Sequence, residues 1–237
     1  MTILETGKVL GKLATKQKAF LAIVGMLALM LFFPTEFYSP FNLFDMLNST
    51  SILMILAFGV TLTVISGGCD LSIGGILVVS GIVAIKLMEV MPIWAAILCA
   101  LAFGALVGFV NGFLVVHQKT EPFIITLGMG LLLTGVAQQI TDAKPVPASN
   151  PDFMMIGNGD FFGIPNLVLI MLVCFGLSYW LMRYTAFGRN LYAIGGDYDV
   201  ALYSGINVIR TKWLAFVICG VAAALAGVLL SSKLNTG

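Results

Sequence analysis

One short stretch carries most of the chain's candidate chemistry: Ser66-Gly67-Gly68-Cys69-Asp70-Leu71-Ser72-Ile73-Gly74-Gly75, a polar, glycine-rich interruption between two apolar runs. Gly67 is free to take the left-handed conformation that closes a helix arriving over residues 48–66. The Asp70 carboxyl can accept amide hydrogen bonds where the next helix begins. Backbone freed by such a break in hydrocarbon must be buried in protein or line a wet cavity, because an unsatisfied polar group there costs several kcal/mol. An ionisable side chain at that depth costs about 2.5–3.5 kcal/mol on insertion scales, which makes Asp70 a functional candidate. A helix cap at the membrane surface explains Asp70 and Ser72 without any ligand, and both readings stand at this point. In the first, Gly67, Gly68, Asp70, Ser72 and Gly74 mark a translocation pathway.

Other chemistries find little support. His117 is the only histidine and sits with Gln118 and Lys119 at a helix end, so there is no acid/base constellation and no catalytic residue is assigned. Cys69, Cys99, Cys174 and Cys219 fall in or beside apolar runs without short Cys/His spacing, and read as small packing residues, neither metal ligands nor a disulfide framework. The glycine pairs at 67–68 and 74–75 lack the lysine of a phosphate loop, so ATP binding and other cofactors are not expected in this chain.

The elements that must position this stretch are membrane helices. Hydrophobic residues make up 59% of the chain and charged residues 10%, with a mean hydropathy of +1.04, where soluble domains carry about 25% charged residues. The apolar runs leave no room for a separate soluble core, so residues 1–237 read as a single transmembrane domain, all-α and polytopic. About seven spans are expected: an initial one over 19–33, then 48–66, 72–90, 93–116, 122–140, 166–183 and 213–232. With the N-terminus in the cytoplasm, nine Lys and Arg lie on the cytoplasmic side (Lys8, Lys12, Lys16, Lys18, Lys119, Arg183, Arg189, Arg210, Lys212) and three outside (Lys86, Lys144, Lys233). The split at Met91-Pro92 carries that orientation, since losing it inverts every later span. Pro34 and Pro40 mark an outer loop, and residues 141–165 form another whose prolines and glycines preclude a long helix. On the cytoplasmic side, residues 184–212 carry a helix signal: Asp197 as N-cap, Tyr198 to Ser204 as two turns, Gly205 as the residue beyond the end. Gly104, Gly108 and Gly112, at four-residue spacing, make a smooth face for close helix packing, and Asn111 and Thr126 are placed to hydrogen-bond across helices.

These residues resemble a known family. Gly67-Gly68-Cys69-Asp70-Leu71-Ser72-Ile73-Gly74 is similar to the Gly-Gly-Ile-Asp-Leu-Ser-Val-Gly motif in the membrane permeases of ribose-type sugar ATP-binding-cassette importers, within the wider group that includes branched-chain amino acid permeases. Further matches follow in order: Pro122-Phe123-Ile124-Ile125-Thr126-Leu127-Gly128, Thr185-Ala186-Phe187-Gly188-Arg189, Ala193-Ile194-Gly195-Gly196 and Ser204-Gly205-Ile206-Asn207-Val208. The resemblance implies a permease that moves a small polar solute, most simply a monosaccharide, across the bacterial cytoplasmic membrane. Partner ATPase subunits would bind the ATP. It further implies a second permease copy or homologue and a periplasmic or lipid-anchored solute-binding protein, with no nucleic-acid partner. The loop before the seventh helix, with Asp197, Tyr198, Asp199, Ser204, Gly205, Ile206 and Asn207, is then the part expected to touch the ATPase. Cys69, Tyr203 and Glu121 depart from the family's usual aliphatic residue, leucine and proline. Family members run further, through additional helices, so the resemblance makes this chain a C-terminally incomplete permease. Two alternatives stand beside it: an ATP-independent secondary transporter, whose broken helices would look the same, and an intramembrane enzyme using Asp70, disfavoured because no nucleophile or metal ligand accompanies it.

Overall fold

The computed structural model describes residues 18–30 and 38–237, and the chain falls into two compact units, Met1–Met46 and Leu47–Gly237. The basic segment with Lys8, Lys12 and Lys16, and the stretch around Pro34, lie outside the described residues.

In the first unit, helix α1 (Lys18–Met30) is followed by the opening of α2 (Pro40–Ile65). Pro40 begins this helix instead of sitting in the outer loop expected for it. Ser39 Oγ accepts the Asn42 N–H at 3.3 Å, and a proline at the first helical position has no intrahelical N–H to lose. The helix therefore starts eight residues earlier than its apolar pattern indicates.

The second unit holds the rest of α2, then α3 (Ile73–Leu87), α4 (Ile93–His117), α5 (Pro122–Thr141), α6 (Pro151–Asn158), a hairpin of β1 (Asp160–Phe161) and β2 (Ile164–Pro165), α7 (Asn166–Tyr184), α8 (Ala186–Gly196), α9 (Tyr198–Tyr203) and α10 (Val208–Leu234). The fold is an all-α polytopic membrane architecture. Among the described residues five helices are long and apolar enough to span a bilayer, namely α2, α4, α5, α7 and α10, while α3 has 15 residues and α1 has 13. The Met91-Pro92 split is present: α3 ends at Leu87 and Pro92 precedes the first turn of α4. Between α5 and α7 there is no long helix, only α6 and the two-residue strands.

Helix α10 is the central element, its side chains buried at intervals from Val208 to Ser232. It starts five residues before the expected position because Asn207 caps it, accepting the Arg210 N–H at 2.9 Å. Helix α4 lies along it: Cβ atoms placed on Gly108 and Gly112 would stand 2.9 Å from Val217 Cα and 3.2 Å from Phe216 Cβ, and Gly104 faces Gly220 and Ala224. No larger residue fits that contact without moving a backbone. Helix α3 joins the same core through Ser80 Oγ, which donates to the Ala224 carbonyl at 3.2 Å. At the far end of α10, residues 146–148 pair with residues 235–237: Val146 N–H donates to the Gly237 carbonyl at 3.0 Å and Ala148 N–H to that of Asn235 at 3.0 Å.

Candidate functional site, a buried helix break

Helix α2 ends as its glycines demand. Gly67 has φ +78°, its N–H donates to the Val64 carbonyl at 3.0 Å, and the Gly68 N–H reaches back to that of Thr63 at 2.9 Å. This pair of bonds, with a left-handed residue between them, satisfies two of the carbonyls that every helix end leaves free. Ser66 Oγ donates to the Thr63 carbonyl as well, at 2.8 Å.

The next helix begins differently from the simple cap expected of Asp70. Ser72 is the residue before α3, and its own side chain makes no cap bond. Asp70 Oδ1 instead accepts both the Ser72 N–H at 2.9 Å and the Ser72 hydroxyl at 2.6 Å, forming a short turn ahead of the helix. The Ser72 oxygen in turn accepts from Asn111 Nδ2 of α4 at 2.8 Å, and the Thr126 hydroxyl of α5 is shared between the Pro122 carbonyl of its own helix at 2.8 Å and the Cys69 carbonyl at 3.3 Å. Asp70 is 1% exposed, and Ser72, Asn111 and Thr126 are fully buried. Phe216 closes the α10 side against Gly68, and Cys219 lies beside the Asp70 carboxyl.

The break is inside the bundle rather than at its surface. At about 1.5 Å per residue, Asn111 lies about 9 Å inside the His117 end of α4, and Cys219 about 16 Å inside the Val208 end of α10. Two acceptors in this cluster, Asp70 Oδ2 and Asn111 Oδ1, are buried with no hydrogen-bond partner among the described residues. Buried polar atoms without partners are uncommon, and each leaves capacity for a hydrogen-bond donor such as a water.

The extended segment alternates. Asp70 and Ser72 point into the bundle, while Gly67, Cys69, Leu71 and Gly74 are exposed. The five candidate pathway residues thus divide between an inner polar lock, Asp70 and Ser72, and an outer face with Gly67 and Gly74, with Gly68 half-buried between them. Cys69 and Leu71 share that outer face; the sequence reads Cys69 as a small packing residue, but it is exposed, as is Cys99, and the period-two alternation of an extended segment is the signal that turns Cys69 and Leu71 outward.

The 197–208 segment is the second candidate region. Asp197 Oδ1 accepts the Val200 N–H at 3.0 Å, and α9 spans six residues before Gly205, which has φ +80°. The Gly205 N–H donates to Leu202 and that of Ile206 to Ala201, at 3.1 and 3.2 Å. Only Ala201 of α9 is buried, against Ile194 and Val208, whereas Tyr198, Val200, Leu202 and Tyr203 are exposed. Asp199, Ser204 and Asn207 are exposed too, and Ile206 is half-buried. Helix α8, ahead of it, was not expected as a separate element. Thr185 caps it by accepting the Gly188 N–H at 3.3 Å, and Phe187, Leu191 and Ile194 form its inner face. That Thr-x-x-Gly start and its 3–4 residue spacing are its sequence signature.

His117 stacks on Phe113 with ring centroids 4.8 Å apart, a packing position with no carboxylate of the break beside it. Among the described residues no group of three His, Cys, Asp or Glu is placed to hold a metal ion.

Comparison with known proteins gives a consistent picture. The family model described as branched-chain amino acid transport system / permease component matches residues 42–237. The chain is 32% identical over 232 residues to the ribose import permease protein RbsC of Haemophilus influenzae, covering 96% of this chain and 72% of that protein. It is 35% identical over 204 residues to the D-allose transport system permease protein AlsC of Escherichia coli, covering 85% and 63% of the two chains. The L-arabinose transport system permease protein AraH of Escherichia coli is 32% identical over 186 residues, 77% of this chain and 56% of that one. No solved structure matches the chain.

Proposed function

The chain belongs to the family of branched-chain amino acid transport system / permease components, a transport subunit and not an enzyme, and from that premise we propose that it forms the translocation pathway of an ATP-binding-cassette importer for a monosaccharide. The observation that carries this reading is the likeness, across most of the chain, to permeases named for ribose, allose and arabinose. ATP is bound by partner ATPase subunits, a second permease copy or homologue completes the pathway, and a periplasmic or lipid-anchored binding protein delivers the solute. The membrane is the bacterial cytoplasmic membrane, with the N-terminus inside and residues 1–237 acting as one transmembrane domain.

Within this reading the two sides of the break have different tasks. Asp70 and Ser72, with Asn111 and Thr126, hold the unwound segment to α4 and α5. Gly67, Cys69, Leu71 and Gly74, on its exposed side, face the pathway. Helix α9 is the ATPase contact, supported by four exposed apolar or aromatic residues on six, more than a solvent-facing helix carries without a partner. A rigid surface helix between two spanning helices can pass ATPase closure to the membrane bundle.

The test is uptake of labelled ribose, allose and arabinose by cells expressing the permease with its cognate ATPase and binding protein. Uptake of one of these sugars is expected, and it should vanish when the ATPase is inactivated. Uptake that survives ATPase inactivation would make the chain a secondary transporter. Orientation is tested with single cysteines at Ser149 and Ser204, both exposed, after removal of the native cysteines. An impermeant reagent applied to intact cells should label position 149 alone, and labelling of 204 alone would invert the topology.

A further inference from the structure

At the corner between α7 and α8, Arg183, Arg189, Tyr179, Tyr192 and Met182 line an open cavity of about 310 Å³. The corner is built stiffly. Thr185 is its only non-helical residue, its hydroxyl donating to the Leu181 carbonyl at 2.6 Å while accepting the Gly188 N–H, and Gly188 packs directly on the Met182 carbonyl. Helix α8 is amphipathic. Phe187 and Leu191 pack toward Leu62, Leu181 and Ala215, which turns Arg189 and Tyr192 to the opposite side. Each guanidinium is thus paired along its own helix with a phenol: Tyr179 one turn before Arg183, and Tyr192 one turn after Arg189. Neither arginine has an ion-pair or side-chain hydrogen-bond partner among the described residues.

Two guanidiniums with no ionic partner among the described residues, and two phenols, converging on one cavity suit a phosphodiester, since an arginine fork matches phosphate oxygens and a phenol supplies a further donor. The surface leading to the cavity selects the rest of the ligand. Leu172, Val173, Phe175 and Trp180 of α7 are exposed and lie within about 80° of Arg183 around that helix, the side a lipid chain would occupy beside a membrane helix. Tyrosines and a tryptophan at this level are the usual marks of the membrane interface. A headgroup bearing its own ammonium would bring a cation toward two arginines, so an anionic headgroup is favoured over a zwitterionic one.

We propose that the α7–α8 corner is a binding site for an anionic phospholipid, whose phosphodiester is held by Arg183 and Arg189 with Tyr179 and Tyr192, and whose acyl chain lies along α7. Basic pockets at the cytoplasmic ends of membrane helices are suited to this class of ligand. The proposal rests on reading α7 as membrane-spanning with Tyr184 at its cytoplasmic end. The cysteine-labelling experiment above tests that orientation separately, so failure of one does not masquerade as failure of the other.

The experiment uses the purified full chain in neutral detergent, offered phosphatidylglycerol and phosphatidylcholine of the same acyl composition, with retained lipid counted by native mass spectrometry. Wild type should retain phosphatidylglycerol over phosphatidylcholine by roughly tenfold or more, the preference expected of two arginines near an anionic surface. R183Q/R189Q should lose most of that preference, R183K/R189K should keep part of it, and excess inorganic phosphate should not displace the lipid. A wild-type preference below about twofold, under half the free energy of a tenfold one, overturns the proposal whatever the variants do. Full preference in a folded R183Q/R189Q also overturns it, as does displacement by inorganic phosphate, which would make the corner a free-anion site. If R183Q/R189Q keeps its lipid but no longer co-purifies with the ATPase, the corner is a protein contact and the proposal fails. Should the double glutamine variant not fold, R189Q alone, altered on an exposed face of α8, must still lower the preference.

Discussion

At Gly67 and at Gly205 the backbone does the same thing: φ of +78° and +80°, with two successive N–H groups turned back onto the last turn of the helix just ended. Past each glycine a side chain receives the next segment, Asp70 binding Ser72 and Asn207 binding Arg210, while the helix that Gly205 ends is itself opened by Asp197 binding Val200. The surroundings differ completely. The first break is locked from α4, α5 and α10, with Asp70 1% exposed, whereas the helix between Asp197 and Gly205 buries only Ala201. Local chain chemistry therefore makes both breaks, but tertiary packing decides what each is for. The first is held so firmly that it fixes which residues face outward. The second is anchored by one small face and offers the other to a partner.

The largest effect that separates the two regions is expected from their aspartates. Asp70→Leu strips the acceptor from the Ser72 N–H and hydroxyl while both stay buried, which should cost about 2–5 kcal/mol of global stability. Asp70→Asn keeps an acceptor oxygen and should cost about 1 kcal/mol. Asp197→Ala removes an exposed cap worth about 1 kcal/mol, and that loss should stay within α9 without lowering global stability. Unfolding of the three variants in detergent, followed by size-exclusion recovery, reads all of these. Equal stability of Asp70→Leu and Asp70→Asn would remove the lock.

A smaller effect, and a closer comparison, comes from one substitution made at both glycines. Gly67→Ala and Gly205→Ala each place a Cβ at positive φ, a local penalty of about 1–2 kcal/mol, and neither position has an atom near enough to add a clash. At residue 67 the penalty should appear in global unfolding. At residue 205 it should appear only as faster amide exchange in α9 and weaker transport. Equal loss of global stability at both would show that α9 belongs to the same cooperative unit as the break.

Much of this was legible in the sequence because hydrocarbon leaves so few ways to fold. Apolar runs had to be helices, Gly67 and Gly205 had to end them, and Gly104, Gly108 and Gly112 offered a face that only close packing uses. What stayed hidden depends on contacts between distant segments. Asp70 reads as an ordinary cap until Asn111, 39 positions after Ser72, is seen bonded to the Ser72 hydroxyl. Pro40 reads as a breaker in the sequence, and only the Ser39 side chain bound to the Asn42 N–H makes it the opener of α2. Helix α8 is hidden in the sequence because its apolar face is only three residues long, Phe187, Leu191 and Ile194, and its polar face resembles a loop.

The last expected effect is the smallest in stability and the most informative for coupling. Val200 is the third residue of α9, so Val200→Pro removes no bond of the helix interior; it removes the N–H that donates to Asp197 and pushes Asp199 away from helical backbone angles. The local cost of about 1–2 kcal/mol exceeds what a six-residue helix can hold by itself, since isolated helices of that length are marginal in water. Global stability should change by less than about 0.5 kcal/mol, as for surface substitutions away from packed features. In cells with the cognate ATPase and binding protein, sugar uptake and solute-stimulated ATP hydrolysis should both fall, while membrane insertion stays normal. Val200→Ala is the companion variant: it keeps the N–H and the helix but removes the exposed side chain, so a loss there as large as with proline places the coupling in that contact and not in the rigidity of α9. Wild-type uptake by Val200→Pro would mean that α9 is not the coupling element. A fall in global stability as deep as that of Asp70→Leu would mean that the exposed helix and the buried lock are one structure, and that their difference in burial carries no difference in task.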